Sequence, residues 1–256
     1  MEISITPNEY LDIVLTDEET NEALRTAREN KYFAIEKQKY YEKITARINW
    51  KIPNAREVYE ALLLTRSQSG GQFIVNSDNK NAIHSLCLYF TEDTKFNDRG
   101  EGYSLNKGIL LIGPPGIGKT HLMDFFKKNH HASYTVPTCK EITEKYAKNW
   151  SRDDMSTIEY YSSLRAAEFG HVFDQDFLGT CFGDLGAESE ANSYGNKRNV
   201  IEEIIFNRYE SKLDFKYTHF TSNLNKELIG QKYGERMLDR LHEMCNVIAI
   251  GGKSFR

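Results

Sequence analysis

A chain of 256 residues that is 39% apolar and 27% charged has the composition of a soluble globular protein with a real core, which excludes disorder as a description of the whole. A formal net charge of −4 excludes a global basic field, so a nucleic-acid surface has to be a local patch on a mildly acidic body. No apolar run approaches the ~20 residues that span a bilayer, and the opening at Glu2 does not read as a signal peptide. A cytoplasmic protein without membrane partners is expected.

The first third reads as helical. Thr6 caps a short helix with Pro7 at its first position and Glu9 closing a capping box. A second box, Thr16 with Glu19, opens a stretch predicted to run to about Trp50, in which Leu24, Ala27, Ala34, Ile35, Ile44 and Ile48 recur at helical spacing. That helix is crowded with Lys31, Lys37, Lys39, Lys43 and Arg47, which suits a solvated charged face and equally a docking helix for a protein or DNA partner. Pro53 stops it, and Asn54 with Glu57 starts a shorter helix through Leu62 to Leu64. The polar, glycine-rich Ser67–Gly71 marks a boundary between a helical N-terminal region, 1–70, and a second domain, 71–256.

From Phe73 onward short apolar strands alternate with helices. Asn76 to Asn81 reads as a polar turn before a helix Ala82–Phe90. Strands are predicted at Ile109–Ile112, Tyr134–Val136, Phe177–Phe182, Tyr217–Thr221 and Val247–Ile250, with clear helices at Lys119–Lys128 and Lys197–Lys212. This alternation predicts an α/β fold: a mostly parallel sheet covered by helices on both faces. Of the four cysteines, Cys87 and Cys245 each follow a histidine, His84 and His242, by three residues. Such isolated pairs fall short of the four ligands of a structural zinc, so the thiols read as buried or incidental.

Chemistry concentrates at Gly113-Pro114-Pro115-Gly116-Ile117-Gly118-Lys119-Thr120, which follows one apolar strand and opens a helix. In that context the pattern is a P-loop. Its glycines let backbone N–H groups converge on phosphates, and the helix N-terminus adds a favourable field. Lys119 is placed to reach the β- and γ-phosphates of ATP, and the Thr120 hydroxyl to ligate Mg2+. An acidic strand end follows at Cys181-Phe182-Gly183-Asp184-Leu185-Gly186-Ala187-Glu188. A carboxylate there holds the metal or polarises the attacking water. The next strand ends Phe220-Thr221-Ser222-Asn223, where Asn223 is either a γ-phosphate contact or simply a turn residue.

The stretches GPPGIGKTH (Gly113 to His121), GDLGAE, TSNLN and Tyr233-Gly234-Glu235-Arg236-Met237-Leu238-Asp239-Arg240-Leu241 resemble the AAA+ ATPases of the DnaC-type helicase loader and IstB-type transposition group. The match runs from Phe73 to Arg256. The resemblance implies a P-loop NTPase core of AAA+ type after a small helical N-terminal region. It makes Asn223 the first sensor, Arg256 in Lys253-Ser254-Phe255-Arg256 the second, and Arg240 an arginine finger reaching the ATP of a neighbouring subunit, with Arg236 one turn earlier. The alternative for Arg236 and Arg240 is surface ion pairing with Glu235, Asp239 or Glu243. The family carries two acidic residues before the Leu-Gly pair, whereas this chain has Gly183 and then Asp184. Slow hydrolysis is therefore expected, or double duty for Asp184, with Glu188 as a loop carboxylate or a substitute. Few residues follow Arg240, which implies a core without a helical lid.

Other features have plainer readings. His130-His131 is expected to close the P-loop helix. Trp150, Tyr160 and Tyr161, near Lys140, Lys145, Lys148 and Arg152, suit either internal packing or stacking on single-stranded DNA, and the surrounding acids favour packing. Phe73 to Val75 is a candidate flank for adenine. The resemblance implies an ATP-dependent loader that grips a replicative DNA helicase with its N-terminal helices, self-associates, and delivers the helicase to single-stranded DNA. The rivals are an IstB-like transposition accessory ATPase, a weakly hydrolysing nucleotide-binding scaffold, and a small-molecule P-loop kinase.

Overall fold

The computed structural model describes residues 14–48, 53–64, 74–152, 155–166, 177–189, 191–193 and 196–252. The expected helix at Thr6, the glycine-rich boundary 67–71, Phe73 and the terminal 253–256 with Arg256 lie outside them. The chain forms two units, Met1–Lys51 and Ile52–Arg256.

In the first unit α1 (Asp17–Ile48) begins at the capping box read from the sequence. The Thr16 amide donates to Glu19 Oε2 at 2.8 Å, and the Glu19 amide to Thr16 Oγ1 at 3.3 Å. Asp17, Glu18 and Glu19 place negative charge in the first turn, where the helix dipole favours it. The side chains described in α1 are exposed, Leu24, Tyr32, Phe33 and Ile35 among them.

The second unit starts with α2 (Ala55–Leu64), capped by Asn54, whose Oδ1 accepts from the amides of Arg56 and Glu57 at 3.0 Å each. Ala55 and Leu62 are buried where α2 meets α3 (Lys80–Phe90). That helix begins two residues before Ala82, because Asn76 Oδ1 accepts from the amides of Asp78 and Asn79 and winds the first turn early.

The remaining elements are β1 (Gly108–Ile112), α4 (Lys119–Phe126), β2 (Tyr134–Thr135), α5 (Cys139–Ala147), the short pair β3 (Ser151–Arg152) and β4 (Met155–Ser156), and α6 (Thr157–Ser162). There follow β5 (Arg165–Ala166), β6 (Phe177–Leu185), the pair β7 (Ala191–Ser193) and β8 (Asn196–Arg198), and α7 (Val200–Glu210). The chain then forms β9 (Thr218–Ser222), α8 (Lys226–Tyr233), α9 (Glu235–Met244) and β10 (Cys245–Ala249). The main sheet runs β10-β1-β9-β6-β2 with every neighbour parallel, and β5 adds antiparallel to the start of β6. This is the α/β architecture that the alternating pattern predicts.

Burial on both faces explains the near-continuous apolar strands. In β1, Ile109 and Leu111 point to one core with α2, α3 and α4, while Leu110 and Ile112 point to the other with α5, α7 and α9. Leu111 is fully buried, and truncation to alanine costs about 2–5 kcal/mol. On the second face Arg208 of α7 is wholly buried, its guanidinium donating to Tyr161 O at 2.7 Å and Thr218 Oγ1 at 2.8 Å. Burial, then the neighbouring Arg165, pull its pKa down to about 9.

Two local expectations change. The helix α4 ends at Phe126, so His130 and His131 lie beyond it rather than closing it. Asn129 terminates the chain's helical path: its Nδ2 donates to Phe126 O at 2.9 Å, and its Oδ1 accepts from the amides of His131 and Ala132. His131 is instead bonded through its ring to Glu92 and Leu105 O. The rings of Trp150, Tyr160 and Tyr161 pack edge-on or tilted against one another, and Lys145 Nζ donates to the Tyr161 hydroxyl at 2.9 Å.

Candidate nucleotide site

Parallel strands put their C-terminal ends on one edge of the sheet, and in such sheets ligands bind there. That edge gathers the loop after β1, the end of β9 and the end of β6 in that spatial order. The P-loop therefore lies beside Asn223, with Asp184 one strand further on.

The loop itself runs from Gly113 to Gly118 and enters α4. Gly116 and Gly118 have φ of 83° and 86°, a left-handed conformation that side chains with a Cβ adopt at a cost. These turns aim the first amides of α4 at the space above the loop, where an anion is favoured by the unpaired N–H groups and the dipole. Ile117 is buried in the core of the first face and anchors the loop, whereas Pro114 and Pro115 are exposed. Thr120 is exposed and His121 half-buried in the first turn of α4.

Lys119 is 4% exposed. Its ammonium donates to Gly113 O at 2.7 Å, Pro114 O at 2.8 Å and Asn223 Oδ1 at 2.6 Å. The contact with Asn223 joins the loop to the end of β9 across 104 positions of sequence. A buried ammonium beside the N-terminus of a helix suits the phosphates of a nucleotide, to which it can donate charge-assisted hydrogen bonds. Thr120 offers a hydroxyl, and Asp184 a carboxylate, of the hard oxygen type that Mg2+ takes.

Asp184 sits on a bulge. Phe182 pairs with Phe220 but Leu185 pairs with Ser222, so β6 carries one extra residue there, and Asp184 takes φ of 54°. The displaced groups are satisfied by β9: the Asp184 amide donates to Thr221 Oγ1 at 2.9 Å, and Ser222 Oγ donates to Leu185 O at 2.6 Å. Thr221 and Ser222 thereby shape the site, a role that their place in the motif does not announce. Gly183 lies against Pro137 and Thr138 of the neighbouring strand end, its amide donating to Pro137 O at 2.8 Å.

Arg240 is held away from this cluster, against α7. Its guanidinium lies 4.2 Å from the Phe206 ring centre and 5.0 Å from that of Tyr209, and it pairs with Glu210 at 3.0 Å. Arg240 is buried and Arg236 exposed. The acidic partner is thus on α7, not Glu235, Asp239 or Glu243 on its own helix; Glu243 instead receives the Tyr209 hydroxyl. Glu188 is buried and turned inward, taking the Tyr233 hydroxyl, the position of a loop carboxylate. The four cysteines are free and buried, and among the described residues no cluster of histidine, cysteine and carboxylate is suited to a metal. No described helix is long and apolar enough to cross a membrane.

No protein-family profile and no curated protein matches the chain. The fold is similar to the solved structure of the DnaC helicase loader, at 16% identity and TM-score 0.48, covering 76% of this chain and 99% of that one. It is similar to the structure of DnaI, at 20% identity and TM-score 0.46, covering 76% and 92%. It is also similar to AMPPCP-bound DnaA from Aquifex aeolicus, at 18% identity and TM-score 0.42, covering 70% of this chain and 48% of that one.

Proposed function

We propose that this chain is an ATP-binding, AAA+-type protein of DNA replication that binds a replicative helicase and helps deliver it to single-stranded DNA. The observation that carries the nucleotide part is the placement of Lys119, buried in the loop with its ammonium on Gly113, Pro114 and Asn223. Bound Mg2+ would supply positive charge to the β- and γ-phosphate oxygens. Lys119 would add a second positive charge, Thr120 and Asp184 would hold the metal, and Asn223 would orient the γ-phosphate or the attacking water. The departure at Gly183 leaves one carboxylate where two are expected, so turnover is slow. Arg240 acts in trans in the assembled protein, and Arg256 in cis. Assembly is then required for hydrolysis.

The helicase part rests on the sequence resemblance and on α1, whose exposed Leu24, Tyr32, Phe33 and Ile35 stand among charged residues. The weakly hydrolysing scaffold is the second reading, favoured by Gly183 alone. Affinity capture from source cells with ATP present tests the assignment. Retention of the replicative helicase, lost when residues before Ile52 are removed, is the expected result; that truncation keeps α2 with α3. Retention of a transposase, or of the helicase by the truncated chain as well, would refute it.

A further inference from the structure

The turn that carries Asp184 is fastened from inside the protein. Ala187 N donates to Asp184 O at 2.9 Å and closes the turn. Two residues beyond Asp184, the Gly186 amide donates to Glu188 Oε2 at 2.9 Å. The other carboxylate oxygen accepts from the Tyr233 hydroxyl, and the Lys232 ammonium lies 3.8 Å from it. Lys232 also donates to Gly186 O at 2.6 Å and Glu188 O at 3.0 Å. Segment 186–188 is therefore tied at four points to the last turn of α8, some 45 positions away in sequence.

Glu188 is 6% exposed and Tyr233 7%. A carboxylate buried this deeply is costly unless its oxygens are bonded, and here both are engaged inward. It is therefore spent on the loop and not offered to the nucleotide edge. Burial first, then Glu188, push the Tyr233 hydroxyl far above its ordinary pKa, so it stays a donor.

We propose that Glu188, together with Tyr233 and Lys232, is a positioning clamp that holds the Asp184 carboxylate in place for a nucleotide-bound divalent cation. The clamp rests on the reading of Asp184 as a metal residue and adds to it the residues that fix its geometry. Loss of a group that orients a metal ligand typically lowers metal affinity by ~10–100-fold. The clamp acts only through the turn, so its loss weakens the metal-dependent part of binding and spares the P-loop's hold on the phosphates.

The test titrates Mg2+ into the full-length protein with a fluorescent ATP analogue, and compares wild type with Asp184→Asn, Glu188→Ala, Glu188→Gln and Tyr233→Phe. Asp184→Asn and Glu188→Ala are expected to raise the half-saturating Mg2+ concentration by ~10-fold. Tyr233→Phe, which removes one hydroxyl and keeps the ring, shifts it in the same direction, and Glu188→Gln restores part of the loss. Metal-free affinity for the analogue in Glu188→Ala, Glu188→Gln and Tyr233→Phe stays within about two-fold of wild type, since the Lys119 bonds to Gly113, Pro114 and Asn223 involve neither Glu188 nor Tyr233. If Asp184→Asn shifts the titration while Glu188→Ala and Tyr233→Phe do not, the clamp is wrong and the Asp184 reading stands. An unchanged titration in Asp184→Asn overturns both. An equal fall of affinity with and without metal marks a general structural role and overturns the clamp.

Discussion

Arg240 is the residue for which packing and catalysis make separable demands, so Arg240→Ala is the most informative single change. In the described chain its guanidinium is caged by Phe206 at 4.2 Å, Tyr209 at 5.0 Å and Glu210 at 3.0 Å. Each cation–π contact contributes about 0.5–1 kcal/mol near the surface and more when dry. The Glu210 carboxylate is 53% exposed, so the ion pair adds only about 0.2–1 kcal/mol and falls further with salt. Truncation is then expected to destabilise the protein by about 1–3 kcal/mol, read as a lower denaturation midpoint with unchanged slope. Arg240→Lys keeps the charge but loses the planar stacking, and falls between the two. If Arg240 also leaves the cage to act on a neighbour's nucleotide, turnover at saturating protein falls by ~100-fold or more while nucleotide binding is kept. Both measurements are made well below the midpoint, so that a loss of turnover is not a loss of fold. A denaturation midpoint unmoved by Arg240→Ala would refute the cage energetics, and equal turnover in mutant and wild type would remove the trans role.

Two further changes probe the site and its support. Gly183→Asp is expected to raise ATP turnover by ~10-fold in a steady-state assay; an added Cβ meets Pro137 O at 3.5 Å and Thr138 Cα at 3.6 Å, ordinary contacts, so the fold accepts it. No change, or a fall, would mean that Asp184 alone already suffices. His219 gives a pH signature: burial first, then His131 and Arg208, depress its pKa from 6.5 to about 3. The folded protein therefore takes up this proton later than the unfolded chain as pH falls, and the associated stability is complete above the unfolded value and lost progressively from pH 6.5 toward 3. At pH 5 the loss is about 2 kcal/mol. His219→Asn offers an acceptor near the position of Nδ1, which takes the Ile109 amide at 3.0 Å, and should remove that part of the pH dependence in urea melts at pH 5 to 8. Parallel pH profiles for variant and wild type would contradict the assignment.

The parts legible in the sequence are those whose causes are local. The caps at Thr16 and Asn54 lie within three residues of the groups they satisfy, and the P-loop is a contiguous string between a strand and a helix. The strand pattern is also local, and it yields the parallel sheet because βαβ units leave little choice. What stayed hidden depends on contacts between distant positions. Nothing near Arg240 points to Phe206 and Glu210, which α7 brings across from 30 or more residues away. The bulge at Asp184 is set by pairing with β9, and the Glu188 carboxylate finds Tyr233 only after α8 docks. His130 and His131 fall outside the helix for a different reason: the side chain of Asn129 ends it before a pattern that still reads as helical.

The central claim is that the loop from Gly113 to Thr120 binds ATP, and equilibrium binding of an ATP analogue with Mg2+ to wild type and Lys119→Ala tests it directly. Saturable binding to the wild type, weakened by ~100-fold when the ammonium is removed, is the predicted result. Absence of binding to the wild type, or equal affinity in the two proteins, would contradict the account.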